Sequence, residues 1–408
     1  MLVKKFDLQP VFIYYEGEDV GEIVARETAN LTEALAPIAR VLAPVAFSGH
    51  LPEDLTGPVF FLYPLRLGCG EALAKLQEKG DVILFAADLP YRALDALEEI
   101  SDRANVHLVF SYGEAREKAL FLGIRDTLRG LHVLALVPDL PSYTALLDRR
   151  YDRSALRHRL GVEVDILGKD EFLAWFARAD GEEAARAWLA RARAADENEV
   201  RRTGQLYQAL RNFLEDRGYQ AVAISCHARK MDPLYVPCLG LGRLRDEGIP
   251  AACEADLASL TGMILVDLLR NQPAFMGNVV GMDAHTITLS HCAMPLRLMG
   301  DEPLPYELAD YHGGRWPGVT AEVEVPVGAP LTVLRVSRSA ETMIVTEGRI
   351  VARPQDGRAC RNTLQVEVPD PALLLRKTSG NHHVLACGHF AGELARLGEF
   401  LGMDVTAL

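Results

Sequence analysis

The sequence predicts an α/β protein that ends in an antiparallel β-rich, barrel-like domain, and three observations carry that expectation. Short runs that are apolar at nearly every position recur through the first two thirds of the chain. Amphipathic stretches with helical spacing separate them, and beyond about residue 315 the pattern changes to alternation. Strands buried on both faces of a parallel sheet read as continuous apolar runs, whereas an antiparallel strand with one wet face alternates.

The first set of runs is VFIYY from residue 11, APVAF from 43, PVFFLY from 58, DVILFAA from 81, HLVFSY from 107 and LHVLALV from 131. EALAKLQEK and YRALDALEEI supply helices between them, completing βαβ units in a domain spanning 1–155. A central α/β domain, 156–312, opens with VEVDIL. Its next helix repeats Leu206, Leu210, Phe213 and Leu214 on one face and stops at Gly218. YQAVAIS, IPAACEAD, the helical ASLTGMILVDLLRN and TITLSHC follow. In the last domain, 313–408, Val319, Ala321, Val323 and Val325 alternate with Thr320, Glu322 and Glu324. TVLRVS, TMIVTEGRIV and NTLQVEV come after Gly/Pro-rich turns, which reads as a small barrel or sandwich. The closing NHHVLACGHFAGELARLGEFLGMDVTAL returns to strand, helix and strand, and could rejoin an earlier domain.

Composition narrows the function. The 408 residues are 49% hydrophobic and 24% charged, as in an ordinary globular protein. A net charge of −13 with no basic run argues against nucleic acid and against an anionic membrane surface. No stretch approaches the ~20 apolar residues of a membrane helix. The first segment lacks the features of a secretory signal, and seven cysteines at irregular spacing, without a CxxC pair, suit buried thiols in a reducing cytoplasm. Gly68-Cys69-Gly70 and Gly240-Leu241-Gly242 lack the third glycine of a dinucleotide fingerprint and read as tight turns. GxxxxGK[ST], GxSxG and HExxH do not occur.

Residues able to bind a cation gather in three places. In Cys253-Glu254-Ala255-Asp256 a carboxylate follows a strand, where open α/β sheets build sites, while Asp256 suits a helix N-cap. FMGNVVGMDAHTITLSHC contains Asn278, Asp283, His285 and His291; Asp283 and His285 read as a hairpin turn, and His291 ends a strand. The third place is Asn381-His382-His383, where adjacent histidines project to opposite sides of an extended chain. Carboxylate, amide oxygen and imidazole together suit Mn²⁺, Mg²⁺, Co²⁺ or Zn²⁺. Arg229, in CHARK after a strand, could orient an anionic substrate group or belong to a solvated loop. Trp316, with Tyr311 and His312 nearby in a Gly-rich stretch, could stack on a sugar or pack.

These residues carry a resemblance. VPCLGLGRLRDEGIPAACEADLASLTGMILVDLLRNQPAFMGNVVGMDAHTITLSHCAMP resembles the core of the L-fucose isomerase and L-arabinose isomerase superfamily. GNHHVLACGHFAGELARLGEFLGMDV resembles its C-terminal metal-histidine segment. The resemblance implies two Rossmann-like α/β domains and a C-terminal β-rich domain, assembled as a homo-oligomer, a trimer or hexamer. It also implies a divalent ion, usually Mn²⁺, and interconversion of an aldose and a ketose through an ene-diol. Glu254 matches the metal-binding glutamate that also serves as acid/base. His382 matches the metal histidine, with His383 as the alternative, and His291 matches the histidine of the arabinose isomerase branch. His383, Arg229 and Trp316 are the expected substrate contacts.

Position 278 matches the family's second carboxylate but holds asparagine. An amide coordinates through oxygen yet accepts no proton near neutral pH, so the site keeps one of the two usual carboxylates unless Asp256 or Asp283 substitutes. The sequence therefore supports a metal-dependent sugar isomerase. A metal-assisted lyase or epimerase on a related hydroxy-carbonyl compound and a non-catalytic sugar-binding paralogue are the alternatives.

Overall fold

The computed structural model describes residues 3–408 apart from 56, 141–142, 145–146, 148–150, 191–194, 227–230, 315 and 356–359. Arg229 lies outside the described residues. The chain divides into two compact units, Val3–Thr127 and Leu128–Leu408.

The first unit is built on one parallel sheet of β1 (Phe6–Ile13), β2 (Ala39–Val41), β3 (Val45–Phe47), β4 (Val59–Pro64), β5 (Asp81–Phe85) and β6 (Val106–Val109). The order is β2-β1-β4-β5-β6, with β3 also on β1. Every residue of β4 and β5 is buried, which is why their sequences are apolar without alternation. Phe60, Leu62, Val82 and Leu84 pack with Leu73 and Leu76 of the helix Gly70–Lys79. Each such side chain contributes about 1.5–3 kcal/mol by leaving water. The one acid in β4 and β5 is Asp81, which Arg125 grips with two hydrogen bonds of 3.1 and 2.6 Å. Burial opposes its charge, but His107 and Arg125 outweigh burial and hold the carboxyl at about 2.

The second unit begins with a parallel sheet of β7 (His132–Val137), β8 (Glu163–Gly168), β9 (Ala221–Ile224) and β10 (Ala251–Ala252), ordered β10-β9-β7-β8. Thus LHVLALV, placed by its sequence in a domain ending at 155, pairs with β8 and β9 of the second sheet. The chain then continues through β11 (Phe275–Met282), β12 (Thr286–His291), β13 (Tyr306–Asp310), β14 (Val319–Val323), β15 (Pro330–Val336), β16 (Thr342–Ala352), β17 (Asn362–Glu367), β18 (His382–Cys387) and β19 (Asp404–Ala407). β13 and β14 form their own antiparallel pair. The rest make a seven-stranded sheet ordered β15-β18-β11-β12-β17-β16-β19, and an additional β15–β16 pairing closes it into a barrel. The expected architecture of parallel-sheet α/β layers followed by a β-rich barrel is the one found.

Two details differ from the sequence reading. β11 and β12, read as part of the central α/β domain, pair with β18 and β17 of the barrel, whereas the closing strand-helix-strand joins the barrel in keeping with its assignment to 313–408. Strand periodicity reports burial but not partners, and these partners lie far away in sequence. Gly240-Leu241-Gly242 lies inside the helix Cys238–Asp246. A Cβ on Gly242 would stand 2.5 Å from the Met294 carbonyl oxygen, so that glycine serves close packing.

Candidate metal centre

The helix Leu257–Arg270 is buried along all but its last residue, and it lies between β10 and the barrel strands β15 and β18. On the barrel side Gly262 lets Val384 and Leu334 approach, since a Cβ there would meet them at 3.2 and 3.6 Å. This packing brings the carboxyl end of the parallel sheet to the barrel. Arg245 reinforces it from the helix Cys238–Asp246. Its Nε donates to the Ala251 carbonyl at 2.6 Å and its Nη1 to the Ala293 carbonyl, one just before Glu254 and the other just after His291.

Between β10 and the helix, Glu254 and Ala255 both adopt left-handed backbone, with φ of 56° and 52°. That region is sparse for residues with a Cβ and costs of order 1–3 kcal/mol where it is held. The Ala255 amide donating to the Ile224 carbonyl at 2.9 Å and the Asp256 amide donating to the Cys253 carbonyl at 3.0 Å hold the turn. Its effect is to aim the Glu254 side chain, one third exposed, between two buried imidazoles. Glu254 Oε2 stands 3.7 Å from His382 Nε2, and Oε1 stands 3.7 Å from His291 Nε2. One ligand atom from each of the three lies within 4.8 Å of the others.

Among the described residues neither imidazole Nε2 has a hydrogen-bond partner, although both are buried. Buried polar atoms are paired as a rule, so two orphaned nitrogens beside one carboxylate describe a cradle for a cation. Glu254 and His382 could hold a cation here.

The second nitrogens differ, and the difference assigns roles. His382 Nδ1 lies 2.8 Å from Asp256 Oδ2. A carboxylate only accepts, so Nδ1 carries the proton and Nε2 presents its lone pair, the usual support of a metal-binding histidine. Asp256 is itself fixed by the Ser259 amide and hydroxyl at 2.8 and 2.9 Å and by Arg335 Nη1 at 3.0 Å. Burial disfavours its charge, but His382, Arg335 and the Ser259 amide hold its carboxyl far below the usual range. His291 is set the other way. Its Nδ1 accepts from the Cys292 amide at 3.0 Å, which leaves the proton of the neutral ring on Nε2, facing Glu254. Burial pulls its pKa down, and the Glu254 carboxylate more than compensates, raising it above the ordinary histidine value.

Asn278 stands directly opposite His382 in the β11–β18 register, and its amide oxygen accepts from Asn381 Nδ2. Asp283 and His285 form the expected turn, with Asp283 Oδ1 accepting from the His285 and Thr286 amides. His383 is fully buried on the other side of β18, its Nδ1 3.2 Å from the Asn381 carbonyl, and burial pushes its pKa down to about 4. Trp316 lies between β13 and β14 and is 36% exposed. The sequence reading missed Arg335. Its signal was a lone guanidinium in the apolar strand LTVLRVS, where a charge has to find a buried partner.

No family model matches the chain. A curated sulfoquinovose isomerase from Alkalicoccus urumqiensis is similar to it, 23% identical over 224 residues, which cover 52% of this chain and 50% of that protein. The chain thus matches about half the length of this relative. Similarity to a sugar isomerase agrees with the kind of protein its motifs resemble. Among the described residues no helix is long and apolar enough to cross a membrane.

Proposed function

We propose that the protein is a metal-dependent aldose-ketose isomerase acting through an ene-diol. The observation that carries this reading is the convergence of Glu254, His291 and His382 from a strained turn and the ends of two barrel strands. Glu254 Oε2 and His382 Nε2 would hold a divalent ion, Mn²⁺ ahead of Mg²⁺, Co²⁺ or Zn²⁺, with Asn278 Oδ1 as a further donor, while His291, its proton on Nε2, stands beside them. The ion would supply Lewis acidity, polarising the sugar's carbonyl and neighbouring hydroxyl.

The chain's own residues divide the proton work. The second oxygen of Glu254, Oε1, stands 3.7 Å from His291 Nε2, and this oxygen takes the proton from C2 of the aldose and returns it to C1. The hydroxyl proton lost from O2 is delivered to O1 in the same turnover, and His291, with its proton on Nε2, is placed to relay it. With Asn278 in place of a second carboxylate, His291 supplies a proton carrier beside Glu254. Sulfoquinovose, the substrate in the relative's name, heads the candidate sugars, and soluble cytoplasmic action as a homo-oligomer completes the reading.

The test is incubation of the Mn²⁺-loaded enzyme with candidate aldoses, sulfoquinovose among them, in heavy water. Deuterium entering C1 or C2 with the carbon chain intact is expected, and Glu254→Gln should abolish it. Cleaved fragments would establish a lyase instead. Exchange that persists in Glu254→Gln would remove the proposed base. Asn278 also favours a second reading, a sugar-binding protein without turnover; activity confined to Asn278→Asp would establish that one.

A further inference from the structure

Behind His291 the chemistry changes from oxygen and nitrogen to sulfur. Cys226 and Cys253 sulfurs stand 3.2 Å apart, and Cys238 adjoins both Cys253 and Cys292. At the far end Cys360 Sγ lies 3.3 Å from His312 Nε2. One ligand atom from each of Cys292, His312 and Cys360 lies within 4.8 Å of the other two.

We propose that Cys292, His312 and Cys360 form a second metal site, for a thiophilic divalent ion of the Zn²⁺ class, distinct from the Glu254 centre. The donor set decides the class. Two sulfurs and an imidazole prefer Zn²⁺ to Mn²⁺ or Mg²⁺, which favour oxygen. With Zn–S near 2.3 Å and Zn–N near 2.0 Å, tetrahedral ligands stand about 3.5–3.8 Å apart. The 3.3 Å between Cys360 and His312 needs only a small adjustment to reach that spacing. Two thiolates, a neutral imidazole and a dication sum to zero charge, which suits an enclosed position. Cys238, which adjoins Cys292, or a water would complete the tetrahedron.

The backbone around each donor is held in place. The Cys292 carbonyl accepts from Thr320 Oγ1 at 2.7 Å and from Asn362 Nδ2 at 3.1 Å. Arg361 Nε donates to the Asp310 carbonyl at 2.9 Å, tying the segment that carries Cys360 to the segment that carries His312. His312 is left-handed, with φ of 49°, a conformation that presents its ring toward Cys360 while the ring stacks on Tyr311 at 4.1 Å. A metal here would join the end of β12, the β13–β14 connection and the start of β17. It would also anchor the residue after His291.

The experiment strips the full-length protein with chelator and titrates it with Co²⁺ as a spectroscopic stand-in for Zn²⁺. Intense thiolate-to-metal absorption with tetrahedral d–d bands is expected in the wild type and in Glu254→Gln. It should be lost in Cys360→Ser and in His312→Asn, two changes at partly exposed positions, with circular dichroism confirming the fold. Elemental analysis after Zn²⁺ loading should show one equivalent fewer in each of those two variants and no such loss in Cys360→Ser when Mn²⁺ alone is offered. Absence of thiolate bands in the wild type would overturn the proposal. So would bands that survive both Cys360→Ser and His312→Asn, or that vanish only in Glu254→Gln. Failure of the isomerase reading leaves these spectra unaffected.

Discussion

Asp256 illustrates how much a single side chain carries. It caps the helix Leu257–Arg270, neutralises the buried Arg335 and fixes the proton of His382. The sequence revealed the first role, because an acid before an apolar helical run is an N-cap pattern. The other two were hidden, since Arg335 and His382 approach only after the barrel has formed. Asparagine would preserve the cap. Asp256→Asn should therefore fold, but with about 3–5 kcal/mol less stability from the uncompensated guanidinium. Its divalent-ion affinity should fall by about 10–100-fold as His382 loses the support that orients it. Calorimetric titration with Mn²⁺ and urea unfolding check the two effects separately. Unchanged affinity would show that Asp256 does not orient the ligand.

At the level of elements, β18 separates its two histidines by direction, as its extended sequence required. His382 faces the helix and its carboxylates, whereas His383 is fully buried and neutral, with a pKa near 4. Its folded pKa lies below the unfolded value of about 6.5, so the unfolded chain binds more protons between those values. The stabilisation is complete above pH 6.5 and is lost as pH falls through 4, amounting to ~3 kcal/mol from this group. Denaturation midpoints measured across that window should show the slope, and His383→Leu should flatten it. The helix Cys238–Asp246 offers a second test. Alanine normally strengthens a helix relative to glycine, but at 242 its methyl would press on the Met294 carbonyl oxygen. Gly242→Ala should lower stability by about 1–3 kcal/mol, and a gain would refute the packing account. The motif looked like a turn because two glycines one residue apart are ambiguous locally; contact with a distant segment resolves them.

Across the whole molecule, the parallel sheets were legible because a buried strand announces itself by composition alone. The barrel's closure was not, since β15–β16, β11–β18 and β12–β17 pairing depends on register between remote segments. The same distinction governs the site. Glu254, His291 and His382 all stood out in the sequence, while their contact with one another arises only through convergence. A cation held by Glu254 and His382 would bridge the parallel sheet and the barrel, so its removal should loosen the second unit. At a hundredfold excess over Kd, ligation stabilises by about 2.7 kcal/mol. Thermal midpoints should accordingly rise with Mn²⁺ in the wild type and remain constant in His382→Ala. An equal rise in both would place the bound ion elsewhere.

The left-handed turn at Glu254 also has an evolutionary reading. Glycine would sit there without steric penalty, so the fold alone gains by discarding this carboxylate. On the proposed function, a lineage in which turnover ceases to matter is expected to drift first at 254, where a glycine or asparagine would mark a kept scaffold without the proposed chemistry.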